Sequence, residues 1–398
     1  MLIQRSLQEQ IQSHILDKRK SVLLLGPRQT GKSSLLKLLK PDLTINLARE
    51  KEYQEHIKDP GLIEKMVKPL ISEAKKGATQ NKIIFIDEIQ RIPSIINTVQ
   101  VLIDDYRNLS FLISGSSARK LKKSEVNLLP GRVFSFNLFP LNYWELGENF
   151  DLMKCLSRGS LPEIYLEDYG PELLSEYISI YLREEILAEA LVRNISSFSH
   201  YLDLAALSSW NELNYSQLAS DSEIPKETIR RFMDLLVETL LIYKVPSFEN
   251  KQIDRKIIQR EKFLFFDIGV RNALLNTIEN KKSPIELGHL FEQWMVLQII
   301  SYNSYYKKNW KLSYYRDDKK LEVDLIIETQ SKIYALEIKW GEKWRSDWIE
   351  NLTTFRDFKH HKEVVCLVIY RGDKSLKHDE VWGLNFETFF NKMDKYIE

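Results

Sequence analysis

Cysteine, glycine and proline are scarce in this sequence. Cys155 and Cys366 are its two cysteines among 398 residues and form no framework of paired spacings. That excludes a disulfide-stapled scaffold and fits a reducing compartment with both thiols buried as small hydrophobes. With 14 Gly and 12 Pro there is little room for flexible linkers, so domains should abut through helices. No apolar run approaches the ~20 residues of a membrane helix. The opening Met-Leu-Ile-Gln-Arg-Ser-Leu-Gln lacks both the apolar core and the cleavage site of a secretory signal. These absences set the expectation of a cytoplasmic protein with no membrane partner. A charge surplus is also missing: 57 Lys and Arg face 56 Asp and Glu, leaving +1. What is present, 43% hydrophobic and 11% aromatic residues, is a globular composition. At this length it suits about two or three domains and excludes disorder.

Near-neutrality hides a cancellation. Residues 1–150 carry +7, residues 151–280 carry −7 and residues 281–398 carry +1. Any nucleic acid must therefore be held by the first or last part of the chain rather than by its acidic middle.

The element pattern divides the chain at the same places. Helical spacing over residues 1–20 leads into the apolar run Ser21–Leu25, and further apolar runs at 82–86 and 111–114 each follow helical sequence. Strands alternating with helices predict a parallel sheet covered on both faces, ending near Trp144. Residues 151–280 are mostly helical in period, with 177–191 the clearest amphipathic stretch. Helices over 198–210, 215–220 and 225–241 followed by a strand over 242–248 give the order of a winged helix-turn-helix. Its Lys226, Arg230 and Arg231 are outweighed by Glu223, Glu227, Asp234 and Glu238, which argues against a DNA-reading role. Residues 281–398 begin with a helix over 288–301 and continue into apolar or alternating runs at 311–315, 321–328, 333–340 and 364–370. That predicts a separate small α/β domain.

Two constellations carry chemistry. Gly26-Pro27-Arg28-Gln29-Thr30-Gly31-Lys32-Ser33 fits G-x-x-x-x-G-K-[ST] between a strand and the start of a helix. Its glycines let backbone N–H groups surround a phosphate, Lys32 reaches the β/γ-phosphates and Ser33 ligates Mg²⁺; Ser34 follows at the helix start. Asp87 and Glu88 end the apolar run at 82–86, where Asp87 would hold Mg²⁺ through water and Glu88 would polarise the attacking water. That acid pair favours ATP hydrolysis over a metabolite kinase. Ser114, ending the 111–114 run, is a candidate sensor of the γ-phosphate. Arg119 and Arg132 are candidate arginine fingers, acting within the chain or from a neighbouring copy in an oligomer.

Together, G-P-R-Q-T-G-K-S-S-L-L, F-I-D-E-I-Q-R-I-P, F-L-I-S-G-S-S and G-R-V-F-S-F-N-L-F-P-L-N-Y-W-E-L resemble the prokaryotic AAA-type ATPases akin to the archaeal ATPases. The resemblance extends over essentially the whole chain, including Gly159-Ser160-Leu161-Pro162 and Phe265-Phe266-Asp267-Ile268-Gly269. It implies a P-loop NTPase sheet, a winged-helix region and a C-terminal domain of uncharacterised function, with ATP and Mg²⁺ as cofactors.

In residues 281–398 the second constellation places Glu292 on a helix, Asp324 on one strand, and Glu337 and Lys339 on the next. This layout resembles the PD-(D/E)XK nucleases, whose fold is that of restriction endonucleases. Residues two apart on a strand share a face, so Glu337 and Lys339 can meet Asp324 from the neighbouring strand. Asp324 and Glu337 would hold Mg²⁺ on a scissile phosphate of DNA, while Lys339 orients water or neutralises the transition state. Aromatics and cations alternate over residues 305–316, a mix equally suited to nucleic-acid contact and to snorkelling lysines. The sequence thus supports an ATPase coupled to a nuclease-like domain. A nucleotide-dependent switch whose last domain is an inactive scaffold is the alternative.

Overall fold

The computed structural model describes residues 3–74, 81–116, 131–179, 195–250, 252–253 and 255–398. They form two compact units. The first holds Met1–Glu148, Leu161–Glu163 and Asp234–Leu241; the second holds Asn149–Ser160, Ile164–Met233 and Ile242–Glu398. Among the described residues, no helix is long and apolar enough to cross a membrane.

The first unit is built on strands β1 (Ser21–Leu25), β2 (Leu43–Asn46), β3 (Lys82–Asp87), β4 (Leu109–Gly115) and β5 (Val133–Asn137). All neighbours are parallel, in the order β2-β3-β4-β1-β5. Every residue of β1 and β4 is buried, as a parallel sheet covered on both faces requires. On one side Leu25, Ile84, Ile86 and Ile113 pack with Ile63 and Val67 of the helix Leu62–Ala74 and with Ile96 and Val99 of Ile95–Asp105. Burying each such side chain is worth about 1.5–3 kcal/mol. The helix Gln8–Leu16 buries Ile11 and Ile15 completely and lies beside β1.

Three strands are legible in the sequence, and the sheet has five. Both additional strands, β2 and β5, are its edges, and each mixes buried with exposed positions. Since β3 and β1 are separated only by β4, the loops after their carboxyl ends share one edge of the sheet.

Helices Ile195–Leu207 and Tyr215–Ser222 of the second unit, and the helix Lys226–Glu238, which is assigned to the second unit up to Met233 and to the first from Asp234, precede the antiparallel strands β6 (Ile242–Val245) and β7 (Lys262–Phe265) of the second unit. The expected strand over 242–248 stops at Val245 because Pro246 has no N–H to give the ladder. Of the amphipathic stretch at 177–191, residues 180–191 lie outside the described residues.

The helix Pro284–Tyr305 exceeds the expected 288–301 by a turn at each end. A capping box between Ser283 and Glu286, with Pro at the first turn, fixes its start. Six strands follow: β8 (Lys311–Arg316), β9 (Glu322–Glu328), β10 (Lys332–Lys339), β11 (Glu363–Tyr370), β12 (Leu376–His378) and β13 (Val381–Asn385). They form a mixed sheet in the order β12-β13-β11-β10-β9-β8, with β10, β11 and β13 parallel. Most of the middle region and all of the last fall within this unit. Phe150 stacks on Trp294 with ring centroids 5.5 Å apart, and Ser209 Oγ donates to Gln293 Oε1 at 2.7 Å.

Candidate functional site

The sheet edge where β1 and β3 end gathers the first constellation. Gly26 to Gly31 fold into a loop between β1 and the helix Lys32–Lys37. Gly31 takes the left-handed φ of 92°, and a Cβ on Gly26 would strike the Leu138 carbonyl. Pro27 and Thr30 are buried, Arg28 is half-buried, and Gln29 and Ser34 are exposed. Thr30 Oγ1 donates to the Pro27 carbonyl at 2.9 Å and stiffens the turn. Lys32 is buried, and its Nζ donates to the Gly26 and Pro27 carbonyls at 2.9 and 2.8 Å. Burial brings its pKa down to about 8, against the pull of Glu88 and Asp87.

Ser33 Oγ donates to Asp87 Oδ1 at 2.8 Å, so the loop hydroxyl and the strand carboxylate meet directly. Glu88 adopts a left-handed backbone, φ 60° and ψ 48°, which turns its side chain out of the strand register. Its carboxylate accepts from Gln90 Nε2, and Gln90 Nε2 also donates to Ser116 Oγ at 2.8 Å. Ser114 donates to Asp87 and accepts from the Glu88 N–H at 3.1 Å. That hydroxyl thus bridges the Asp87 carboxylate and the Glu88 backbone.

Arg132 is elsewhere. In the parallel register Val133 pairs with Ser21 and Asn137 with Leu25, so Arg132 precedes β5 at the end of the sheet opposite the loop. It pairs there with Asp104 through Nε at 2.7 Å and NH2 at 2.9 Å. A role for it at this chain's own phosphate loop does not fit that placement. Arg119 lies outside the described residues.

In the second unit, β9 and β10 run antiparallel with Leu336 opposite Leu325, which brings Glu337 and Asp324 side by side one step further on. Asp324 Oδ2 accepts from the Ile338 N–H at 2.8 Å. Lys339 Nζ is 2.5 Å from Glu337 Oε1 and 3.8 Å from Asp324 Oδ2. Glu292 faces the same cluster from the helix Pro284–Tyr305, and Trp210 Nε1 donates to its Oε2 at 3.2 Å. Burial, then the Asp324 charge, pushes the carboxyls of Glu292 and Glu337 well above their ordinary range. Burial opposes the Lys339 charge, yet Asp324 and Glu337 outweigh it and hold its pKa above the usual value. Glu337 Oε2 is buried without a hydrogen-bond partner. Among the described residues, no three His, Cys, Asp or Glu side chains stand at a spacing that holds a metal ion.

The geometry thus brings Ser33, Asp87, Glu88 and Lys32 together at one edge and Glu292, Asp324, Glu337 and Lys339 at another place. Gln90, Ser116 and Trp210, which orient those groups, escaped the sequence reading. Gln90 stands two residues from Glu88, but Ser116 meets Gln90 across 26 residues and Trp210 meets Glu292 across 82, and no local spacing announces those pairs.

Residues 18–147 match the family described as AAA domain, while residues 149–281 and 287–389 match two families described as domains of unknown function, DUF8612 and DUF4143. Uncharacterized protein Rv2008c of Mycobacterium tuberculosis is 26% identical over 338 residues, 80% of this chain and 70% of that protein. Uncharacterized protein MJ1544 of Methanocaldococcus jannaschii is 26% identical over 277 residues, 63% of this chain and 59% of its own length. Among solved structures, C. elegans PCH-2 aligns over 58% of this chain and 65% of its own at 18% identity, with a TM-score of 0.27. A DNA polymerase III gamma subunit-related protein of Thermotoga maritima aligns over 58% and 98% at 13% identity, with a TM-score of 0.26. Residues 18–147 are therefore similar to the AAA domain family, and there the loop of residues 26–33 is set against Asp87 at the edge of a parallel sheet.

Proposed function

We propose that this chain is a cytoplasmic Mg²⁺-dependent ATPase whose turnover in the first unit controls a nuclease-like acid–lysine site in the second. The single observation that carries the ATPase reading is the 2.8 Å hydrogen bond between Ser33 and Asp87. It sets a hydroxyl and a carboxylate, both hard oxygen donors, where one Mg²⁺ would share them, and that donor set fits the ion. When bound, Mg²⁺ held by Ser33 and Asp87 would neutralise charge developing on the phosphates. The chain's own residues do the rest. Lys32 exchanges the Gly26 and Pro27 carbonyls for phosphate oxygens, and Glu88, steadied by Gln90, takes a proton from the attacking water.

Two variants test this. Lys32→Ala is expected to lose ATP binding, whereas Glu88→Gln keeps binding and loses turnover by about a hundredfold or more. Equal turnover in Glu88→Gln and wild type refutes the role given to Glu88.

For the second unit, the buried and unpartnered Glu337 Oε2 supports a cation there, held by Asp324 and Glu337. Lys339 would then turn to the scissile phosphate of DNA. The helices and paired strands over 195–265 supply a winged-helix-like support rather than a DNA reader, since Arg230 is neutralised by Glu227 at 3.2 Å. Plasmid DNA with Mg²⁺ or Mn²⁺ and ATP should be cut by wild type and not by Asp324→Ala; cleavage unchanged in that variant removes the nuclease reading.

A specific observation favours the alternative of an inactive scaffold. The Lys339 ammonium already sits on Glu337 at 2.5 Å, in the position a metal would take between the carboxylates. On that reading ATP turnover proceeds with no DNA cleavage under any of those conditions.

A further inference from the structure

Arg5 lies ahead of the helix Gln8–Leu16, on a segment outside both constellations, and is 7% exposed. Its guanidinium reaches in three directions. NH1 donates to the Thr30 carbonyl at 2.5 Å, NH2 to the Phe139 carbonyl at 2.6 Å, and Nε pairs with Glu145 at 3.1 Å. Glu145 is itself fixed, accepting from the Ser6 N–H at 2.8 Å and the Asn142 N–H at 3.3 Å. Three separate nitrogens of one planar group thus reach two carbonyls and a carboxylate, a spread that an ammonium, with all its donors on a single nitrogen, does not have.

The Thr30 contact gives this arrangement a role beyond packing. The Thr30 carbonyl and the Gly31 N–H belong to one peptide unit, and that unit is trans, so the two bonds point in opposite directions. A cation that grips the carbonyl from outside the loop aims the N–H into it. The grip also polarises the amide, strengthening it as a donor to phosphate. Gly31 has no side chain to set this peptide's orientation, and Arg5 NH1 stands 3.5 Å from where its Cβ would be.

We infer that Arg5 is a positioning residue of the phosphate site, clamping the Thr30–Gly31 peptide so that the loop is preformed for the phosphate chain of a nucleoside triphosphate. The inference rests on the ATPase reading of the loop. Because the clamp acts on phosphate and not on the base, ATP and inorganic tripolyphosphate should feel its loss alike.

The test uses the full chain with Mg²⁺. Binding of ATP and of tripolyphosphate is measured by calorimetry, with KM and kcat for ATP hydrolysis, on wild type, Arg5→Lys, Glu145→Gln and the double variant Arg5→Met/Glu145→Gln. The double variant leaves no buried charge unpaired, so it keeps the test open if a single Arg5 variant fails to fold; thermal melting reports which variants are folded. Arg5→Lys and the double variant should bind both ligands about tenfold more weakly, the worth of one charge-assisted hydrogen bond. KM should rise more than kcat falls. Glu145→Gln leaves the two carbonyl bonds in place and should lose much less. Equal affinity across the series overturns the inference, and so does a loss in Glu145→Gln as large as in Arg5→Lys, which would reduce Arg5 to a structural counter-ion. A wild type that binds neither ligand overturns the ATPase reading and the clamp with it.

Discussion

At Glu88 a non-glycine residue holds a left-handed backbone beside the phosphate loop, a conformation that costs on the order of 1 kcal/mol and persists only when its surroundings enforce it. Gln90 is part of that enforcement, tying the Glu88 carboxylate to Ser116. Gln90→Ala should therefore leave ATP binding intact and lower kcat by about tenfold, the scale of a lost orienting partner; an unchanged kcat in a steady-state assay would show that Glu88 is held without it. Asp267 is a different kind of buried acid. It caps the helix Ile268–Leu274, accepting from the Val270 N–H at 3.1 Å and the Ser160 N–H at 2.7 Å. Burial outweighs these donors and raises its pKa from 3.8 to about 6. A folded-state pKa above the unfolded one means that the native state holds the proton more tightly. This contribution to stability is full below pH 3.8 and is lost as pH rises through about 6. Asp267→Asn keeps an acceptor without the charge. Urea denaturation at pH 4.5 and 6.5 should show wild type losing on the order of 2 kcal/mol more than the variant over that interval. Parallel pH profiles would rule this out.

Strands and turns show where sequence patterning carries information. The three strands readable in the first unit, β1, β3 and β4, are interior and nearly continuous in buried residues. The edges β2 and β5 bury only one position each and give no clean apolar run. The same holds for β12, an edge strand with two exposed residues of three. Gly159 entered the sequence reading only through the family resemblance, in Gly159-Ser160-Leu161-Pro162. The reason for a glycine is steric: φ is 75° there, and a Cβ would collide with the Asp267 carboxylate. Gly159→Ala should destabilise the second unit by about 2 kcal/mol or more, seen as an earlier chemical-denaturation midpoint. A midpoint within error of wild type would mean that the helix cap yields at little cost.

Over the whole chain, the division into thirds by charge does not coincide with the division into compact units. Most residues of the acidic 151–280 stretch fall in the unit that holds residues 281–398, whereas Glu163, Asp234 and Glu238 fall in the other. A fragment of residues 281–398 would lose Phe150 from Trp294 and both Trp210 and Ser209 from the helix Pro284–Tyr305. It should melt at lower temperature than the second unit does in the full chain, with dye-accessible apolar surface before melting; a cooperative melt at the full-chain temperature would mean that the last region is self-sufficient.

The sequence by itself determined the membership of the first site, because G-x-x-x-x-G-K-S and the Asp-Glu pair are local patterns whose spacing and strand context specify the backbone. It also determined which element bears each of Glu292, Asp324, Glu337 and Lys339, since helical and strand periods are local too. Only the tertiary structure decided the contacts among them. Lys339 settles between two carboxylates, Trp210 reaches Glu292 across 82 residues of chain, Arg5 reaches Phe139 across 134, and Arg132 falls at the wrong end of its sheet. Register and strand order set these pairings, and both are fixed by packing between segments that no local pattern relates.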